Sequence, residues 1–216
     1  MAQIYPSLLA APENTIDKTI KLLEPLCPGF HIDIIDNQFA PNNGISVEKT
    51  NNIAKLTYRQ IWVHLMVEDV ESYIKQLQLP PDSILTFHIE SKGDKKSIIN
   101  KILEKKWLPS IAIKPKTSVN DIFPFLETIH QVLIMSVEPG FSGQPFLASS
   151  LAKIDPLVGY RNTSHLNYKI AMDGGIGVKN LREISQKGVD QVAVGSAILE
   201  AKVGPVKAYQ LLSEIE

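Results

Sequence analysis

Short apolar runs alternate with longer amphipathic segments along the whole chain. Each run is at most seven residues long and rich in β-branched or aromatic side chains, a pattern that favours buried strands. Between several runs, apolar residues recur at helical spacing, as in ranges 15–23, 70–77, 98–103 and 181–184. The predicted strands are Gln3–Ser7, Phe30–Ile35, Ile61–Val67, Ile84–Glu90, Ile111–Pro115, Val132–Val137, Lys169–Asp173 and Gln191–Val194.

The alternation of strands and helices predicts an α/β fold. Strands separated by helices favour a parallel sheet with right-handed crossovers. Eight such units fit either a closed (β/α)8 barrel or a long doubly wound sheet, and periodicity alone does not choose between them. No low-complexity tract, Ser/Gly linker or change of composition divides the 216 residues, so we expect one domain over 1–216.

Composition narrows the classes of function. Apolar residues make up 44% and charged residues 21%, as in ordinary soluble domains. The 22 basic and 23 acidic side chains give a net charge of -1, and neither nucleic acid nor a membrane surface is an expected partner. No signal-peptide pattern or membrane-spanning run is apparent, so we expect a cytoplasmic location. The single Cys27 is expected to be a buried apolar side chain.

Polar side chains interrupt three of the predicted strands. The strand ILTFHIE places His88 and Glu90 on one face, where they could support a neighbouring site but are more often a hydrogen-bonded core pair. Because side chains alternate between strand faces, His31 and Asp33 project on one side of their strand, and His64 lies on the next strand. Imidazole and carboxylate groups suit zinc, iron, manganese or cobalt, which makes the His31–Asp33 pair a plausible half-site. Each histidine taken alone would more often be a hydrogen-bonded core residue. Asp33 favours a metal, since an unpaired buried carboxylate is costly.

Three glycine-rich stretches follow the last three predicted strands. Asp173 precedes a glycine pair, where it could instead cap the next helix. Any one of these stretches could be only a turn, but together they are typical of a phosphate-binding site at the ends of barrel strands. The candidate main-chain donors are Gly140, Gly143, Gly174, Gly175, Gly195 and Ser196.

Eight motifs, taken together and in order, resemble those of ribulose-phosphate 3-epimerases over essentially the whole length. They are YPSLLAAP, HIDIIDNQFAPN, VHLMVED, TFHIES, IKPKTSV, MSVEPGFSGQPF, MDGGI and VGSAI. The resemblance implies a (β/α)8 TIM barrel of the ribulose-phosphate binding type. It also implies an isomerase of the pentose phosphate pathway that acts on a small ketose phosphate. A homodimer or a larger homo-oligomer is the expected assembly.

The same resemblance implies a catalytic site. One divalent ion per subunit (zinc, iron, manganese or cobalt) would be held by His31, Asp33, His64 and Asp173. Asp33 would remove the C3 proton of D-ribulose 5-phosphate and Asp173 would return one to the opposite face through a cis-enediolate, giving D-xylulose 5-phosphate. The implied substrate-binding residues are Ser7, His64, Met66, Met135, Gly140, Phe141, Ser142, Gly143, Asp173, Gly174, Gly175, Gly195 and Ser196.

Three alternatives stay open at this point. Asn37-Gln38 replaces Gly-His of the family's DGHFVPN loop, which we expect near the substrate channel, so a hexulose 6-phosphate such as D-allulose 6-phosphate is a rival substrate. A catalytically silent phosphate-binding barrel is a second alternative. A barrel aldolase or decarboxylase would be expected to use a catalytic lysine, for which Lys114 is the candidate.

Overall fold

The computed structural model describes residues 1–215, and its centre is one sheet of eight parallel strands. The strands are β1 (Gln3–Pro6), β2 (Gly29–Ile35), β3 (Gln60–Met66), β4 (Ile84–His88), β5 (Leu108–Ile113), β6 (Gln131–Met135), β7 (Lys169–Asp173) and β8 (Gln191–Val194). All eight predicted strands are therefore present, and β7 and β8 have the predicted bounds. The others differ by no more than three residues at either end.

The sheet closes into a barrel. Its order is β1-β8-β7-β6-β5-β4-β3-β2, and a parallel bridge between Ser7 and His31 joins the two ends. A doubly wound sheet would instead reverse its strand order near the middle. The predicted (β/α)8 barrel is thus confirmed, and the carboxyl ends of all eight strands open on one face.

The α-helices of the described range surround the barrel: α1 (Ile16–Leu23), α2 (Val47–Leu56), α3 (Val70–Gln76), α4 (Lys95–Glu104), α5 (Ile154–Thr163), α6 (Leu181–Gln186), α7 (Ser196–Leu199) and α8 (Pro205–Ser213). Side-chain caps begin several of them. Asp94 accepts a hydrogen bond from the Ser97 amide at 2.7 Å at the start of α4, and Ser46 caps α2 in the same way. None of the helices in residues 1–215 has the length and apolar character needed to cross a bilayer.

The connection from β5 to β6 departs from the predicted alternation. Two short 3₁₀ helices, Val119–Asp121 and Phe123–Phe125, stand where an α-helix is expected. Pro124 has no N–H to donate and disfavours helical backbone at the residue before it, so an α-helix cannot run through this segment without disruption. The Phe123 ring stacks on Tyr160 of α5, with 5.0 Å between ring centroids, and so covers the barrel there.

Strand alternation divides the core into two layers. Phe30, Ile32 and Ile34 of β2 belong to the cluster between the barrel and its helices. A smaller cluster inside the barrel includes Tyr5 and Trp62. The amino end of the interior is closed by side chains that bond to each other, as Trp62 does to Thr86 at 2.8 Å and Gln131 to Gln191 at 2.7 Å. The polar groups left to meet a ligand are those at the carboxyl ends of the strands.

Candidate active site

Two imidazoles and two carboxylates from three strands meet at the carboxyl end of the barrel. His31 and Asp33 lie on β2, His64 lies on β3, and Asp173 ends β7. Each offers one ligating atom, and these four atoms all lie within 4.8 Å of one another. Both imidazoles are fully buried, whereas the Asp173 side chain is 16% exposed. The cluster therefore faces open space only through its carboxylates.

Strand pairing sets the contacts inside this cluster. Asp33 and His64 are register partners on β2 and β3, and His64 Nδ1 lies 3.0 Å from Asp33 Oδ1. The same nitrogen lies 3.7 Å from Asp173 Oδ2. Ser7, just after β1, donates from its hydroxyl to Asp33 Oδ2 at 2.9 Å. The Asp33 carboxylate is thus held from two sides.

His31 differs from every other buried side chain in residues 1–215. Among the buried side-chain nitrogen and oxygen atoms of that range, the two ring nitrogens of His31 are the ones that lack a hydrogen-bond partner. Nδ1 lies 3.2 Å from Asp33 Oδ2 but without hydrogen-bond geometry, and the ring packs edge-on against Trp62 at 4.6 Å. An unsatisfied buried polar atom costs about 1–3 kcal/mol. A divalent cation would accept the imidazole lone pair, so this mixed N and O set fits such an ion.

The two aspartates have unequal electrostatic environments. Burial opposes the charge of Asp33, but electrostatic interactions with His31 and His64 outweigh this effect, and the pKa of Asp33 falls below its usual range. Burial raises the pKa of Asp173 to about 7. The charge of His31 opposes this rise, and repulsion from the Asp33 charge adds to it. Asp33 therefore keeps its charge more readily than Asp173 does.

A chain of side chains continues outward from the far side of His64, in which His88 is fully buried and the Glu90 side chain is 22% exposed. His64 Nε2 lies 2.9 Å from His88 Nε2, and His88 Nδ1 lies 3.2 Å from Glu90 Oε2. Glu90 Oε1 accepts the Lys114 amide at 2.9 Å and the Thr117 hydroxyl. Burial opposes ionisation of Glu90, but the bonds from His88, Thr117 and Lys114 lower its pKa to about 2. Strand β4 is predicted to reach Glu90 but ends at His88, which leaves Glu90 free to turn toward the β5 loop.

A cavity at the mouth of the barrel, which we call the mouth cavity, opens beside the cluster. Of the predicted substrate-binding residues, all except His64 line it, and His64 is fully buried behind them. Met66 and Met135 contribute its buried apolar wall. Lining residues that the sequence analysis missed are Leu9, Val137, Pro139, Gln144, Ile176 and Ala193. Each of them lies within or next to one of the eight family motifs, and those motifs are the sequence signal that points to these residues.

The glycines around the mouth cavity serve two different purposes. A Cβ on Gly174, at φ +115°, would lie 2.5 Å from the Val137 side chain, so this glycine permits close packing of the β7 and β6 loops. Gly143, at φ +76°, has no heavy atom within 4 Å of such a Cβ, so its backbone borders open space. Neither the Gly143 nor the Gly175 amide donates to another backbone group of residues 1–215. These amides are available to an anionic ligand.

Hydrogen bonds from two amide side chains shape the β6 loop, residues 136–147. Gln144 Nε2 donates to the carbonyls of Glu138 at 2.7 Å and Phe141 at 3.0 Å. Asn42, from the β2 loop, donates through Nδ2 to the Gly140 carbonyl at 2.8 Å. Phe141 stays 54% exposed at the rim. The β2 loop and the β6 loop are thus linked beside the cavity.

Two features that the sequence singles out, the Asn37-Gln38 pair and Lys114, lie outside the lining of the mouth cavity. Asn37 and Gln38 are exposed and do not line the mouth cavity; Asn37 Oδ1 instead accepts the Asn42 amide at 3.2 Å. Lys114 also lies outside the cavity lining, with its Nζ 3.8 Å from the centroid of the Phe39 ring. Lys114 instead lines a neighbouring cavity that shares Pro139, Phe141 and Gln144 with the mouth cavity.

Comparison with known proteins shows which family the chain matches. The model of the ribulose-phosphate 3 epimerase family matches residues 3–199. The chain is 33% identical over 205 residues to the ribulose-phosphate 3-epimerase of Schizosaccharomyces pombe, covering 93% of this chain and 88% of that one. It is 34% identical over 199 residues to that of Methanocaldococcus jannaschii, covering 92% and 84%. A crystal structure of KGPDC from Streptococcus mutans superposes with a TM-score of 0.73 at 12% identity, covering 99% and 96%, a likeness of fold alone.

Proposed function

The chain belongs to the ribulose-phosphate 3-epimerase family and is an isomerase, and we propose that it interconverts D-ribulose 5-phosphate and D-xylulose 5-phosphate with a divalent metal ion. One observation carries the proposal most directly. Asp33 and Asp173, two carboxylates from separate strands, meet at one cavity beside a histidine whose ring nitrogens have no partner among the described residues.

The metal ion belongs among His31, Asp33, His64 and Asp173. Zinc, iron, manganese and cobalt all suit two imidazoles and two carboxylates. When bound, the ion would supply positive charge that stabilises the negative charge developing on the sugar once the C3 proton leaves. The protein's own part is to hold the four side chains in place, which strand pairing and the Ser7 hydroxyl accomplish for Asp33.

Proton transfer falls to the two carboxylates. In the direction from ribulose, Asp33 takes the C3 proton, and the electron pair of the broken C–H bond becomes part of the C2–C3 double bond of an enediolate. Asp173 then gives a proton to C3 from the other side, which inverts that carbon and restores the C2 carbonyl. The reverse reaction exchanges the roles of the two residues.

The phosphate of the substrate is assigned to the glycine-rich loops after β6, β7 and β8. Gly143 and Gly175 line the mouth cavity and have amides that donate to no other backbone group of the described residues. Backbone N–H groups suit a phosphate because they donate hydrogen bonds without requiring a long, flexible side chain to become ordered. Met66 and Met135 give the sugar an apolar, water-poor wall.

A comparison of two substrates tests the proposal. Purified protein loaded with Mn²⁺ or Zn²⁺ should show a clearly higher kcat/KM for D-ribulose 5-phosphate than for D-allulose 6-phosphate. A higher kcat/KM for the hexulose phosphate would change the assigned substrate but not the type of reaction. Absence of turnover with any ketose phosphate, in protein that binds phosphate, would identify the silent barrel instead.

The sequence makes two further predictions about the working state. We propose a cytoplasmic location and a homo-oligomer, either a dimer or a larger assembly. Light scattering of the purified chain coupled to size-exclusion chromatography checks the second, since a monomeric mass would contradict it.

A further inference from the structure

The chain of side chains behind His64 has no part in the proton transfers proposed above. It runs from His64 through His88 to Glu90, with contacts of 2.9 Å and 3.2 Å. Both imidazoles have no exposed surface, so water does not compete for their ring nitrogens. Each of the two contacts therefore needs one hydrogen, which is bonded to one of the two atoms that the contact joins.

The direction of the hydrogen bonds is set at the Glu90 end. Glu90 Oε1 accepts the Lys114 backbone N–H at 2.9 Å, and this donor cannot reverse its role. Lys153 Nζ holds the same loop by donating to the Lys114 carbonyl at 2.6 Å and the Thr117 carbonyl at 2.8 Å. The Glu90 carboxylate can only accept, so the proton between it and His88 belongs to His88 Nδ1.

The proton position on His88 determines the proton position on His64. A neutral imidazole with its proton on Nδ1 has its lone pair on Nε2. In the 2.9 Å contact between the two histidines, His64 Nε2 is then the donor. The lone pair of His64 consequently lies on Nδ1, the nitrogen that is 3.0 Å from Asp33. Asp33 on its own would favour the opposite arrangement, with a proton on Nδ1 pointing at the carboxylate.

We propose that Glu90, acting through His88, is a positioning residue that holds His64 in the tautomer whose Nδ1 lone pair faces the metal. The inference rests on the proposed function, because it needs a metal ion beside Nδ1. Outer partners of a ligating histidine fix its tautomer and ring orientation, and their loss typically weakens metal binding by about 10–100-fold.

The variant Glu90→Gln tests the proposal sharply. The glutamine carbonyl must face the fixed Lys114 N–H, which turns the amide NH₂ toward His88 Nδ1 and demands the opposite tautomer along the chain. Thr86→Val is the matched control. Thr86 is buried on the same strand but bonds to Trp62 at 2.8 Å and Gln131 at 3.5 Å, outside this chain.

Two measurements on the whole protein decide the question. Competition with a chromogenic chelator should give Glu90→Gln a Zn²⁺ Kd at least about tenfold weaker than wild type, with Thr86→Val within about twofold. Nitrogen-15 NMR of the zinc-loaded, histidine-labelled wild type should show His64 protonated on Nε2 and His88 on Nδ1. This second readout needs no variant to fold.

Three outcomes contradict the inference and are distinguishable. An unchanged Kd in a folded Glu90→Gln variant overturns it while leaving the metal centre and the proposed reaction intact. A His64 proton on Nδ1 in the zinc-loaded wild type does the same. Failure of the wild type to bind Zn²⁺ at all overturns the metal centre itself, and the role of Glu90 with it.

Discussion

The mouth of the barrel has two halves that are built from different parts of the chain. On the side of β2, β3 and β4, the functional groups are buried side chains held by strand register and by close side-chain contacts, such as His64 between Asp33 and His88. On the side of β6, β7 and β8, apart from the Asp173 carboxylate that ends β7, they are backbone amides of glycine-rich loops, such as Gly143 and Gly175.

The difference follows from what each half has to do. Proton transfer requires groups fixed to within fractions of an ångström, and strands that are paired on both sides provide that rigidity. A phosphate is a large anion that any suitable set of N–H groups can hold, so loops suffice. We therefore expect damage to the side-chain half to reduce kcat or metal binding, and damage to the backbone half to raise KM.

The largest effect is expected at the two carboxylates. Asp33→Asn and Asp173→Asn should each lower kcat by at least about 10²-fold, because an amide cannot exchange the C3 proton. Asp17→Asn, the same change at a surface carboxylate paired with Lys49 at 2.7 Å, is the control and should leave kcat unchanged. Steady-state kinetics checks this, and near-normal turnover in either site variant would refute the role given to that residue.

The unpartnered histidine gives the next largest effect. At a metal concentration about 100 times Kd, Zn²⁺ should stabilise the wild type by about 2.7 kcal/mol, or roughly 5–10 °C in Tm. His31→Leu should lose this shift yet still fold, since neither ring nitrogen of His31 bonds to another group of the described residues. Calorimetry with and without Zn²⁺ measures both. An undiminished shift in the variant would show that His31 is not a ligand.

On the backbone half, a bulky side chain at Gly143 is the main test. Gly143→Leu would crowd the phosphate position, and loss of one hydrogen bond to a charged group corresponds to a KM raised about tenfold or more. Gly204→Leu serves as control, because Gly204 has a similar positive φ of +80° and open space around it but lies outside the cavity lining. A change confined to kcat would contradict the assignment of this loop to phosphate binding.

The smallest effect is expected where the two halves are linked. Asn42→Ala removes the 2.8 Å bond to the Gly140 carbonyl, a neutral contact worth about 0.5–1.5 kcal/mol, and should raise KM a few-fold with kcat preserved. Asn51→Ala removes a similar bond to the Gln76 carbonyl far from the cavity and should change neither constant. Equal kinetics for Asn42→Ala and wild type would mean that the β6 loop needs no support from the β2 loop.

Much of the fold could be predicted from the sequence, because strands buried on both faces leave a local signature. Lys169–Asp173 and Gln191–Val194 are strands with the bounds that the apolar pattern gives them. Barrel closure is another matter, since it depends on a bridge between Ser7 and His31 that no local pattern encodes. The interruption at Pro124 shows a single residue overriding an otherwise regular alternation.

Different parts of the candidate site could be predicted from different kinds of sequence information. The alternation rule alone places His31 and Asp33 together, whereas adding His64 and Asp173 required resemblance to a family. The contact between His64 and His88 depends on how two strands and two side-chain rotamers meet, and Glu90 joins it only because β4 ends early. Gln144 was missed because its role lies in bonds within its own loop.

Solvent deuterium labelling tests the two-carboxylate account most directly. Metal-loaded protein is given D-ribulose 5-phosphate in ²H₂O, and both sugars are analysed by mass spectrometry and NMR during the first turnovers. The account predicts one deuterium at C3 of the newly formed D-xylulose 5-phosphate and almost none in the remaining substrate, because different groups act on the two faces. Equal labelling of both sugars, or a product that retains its C3 proton, would contradict it.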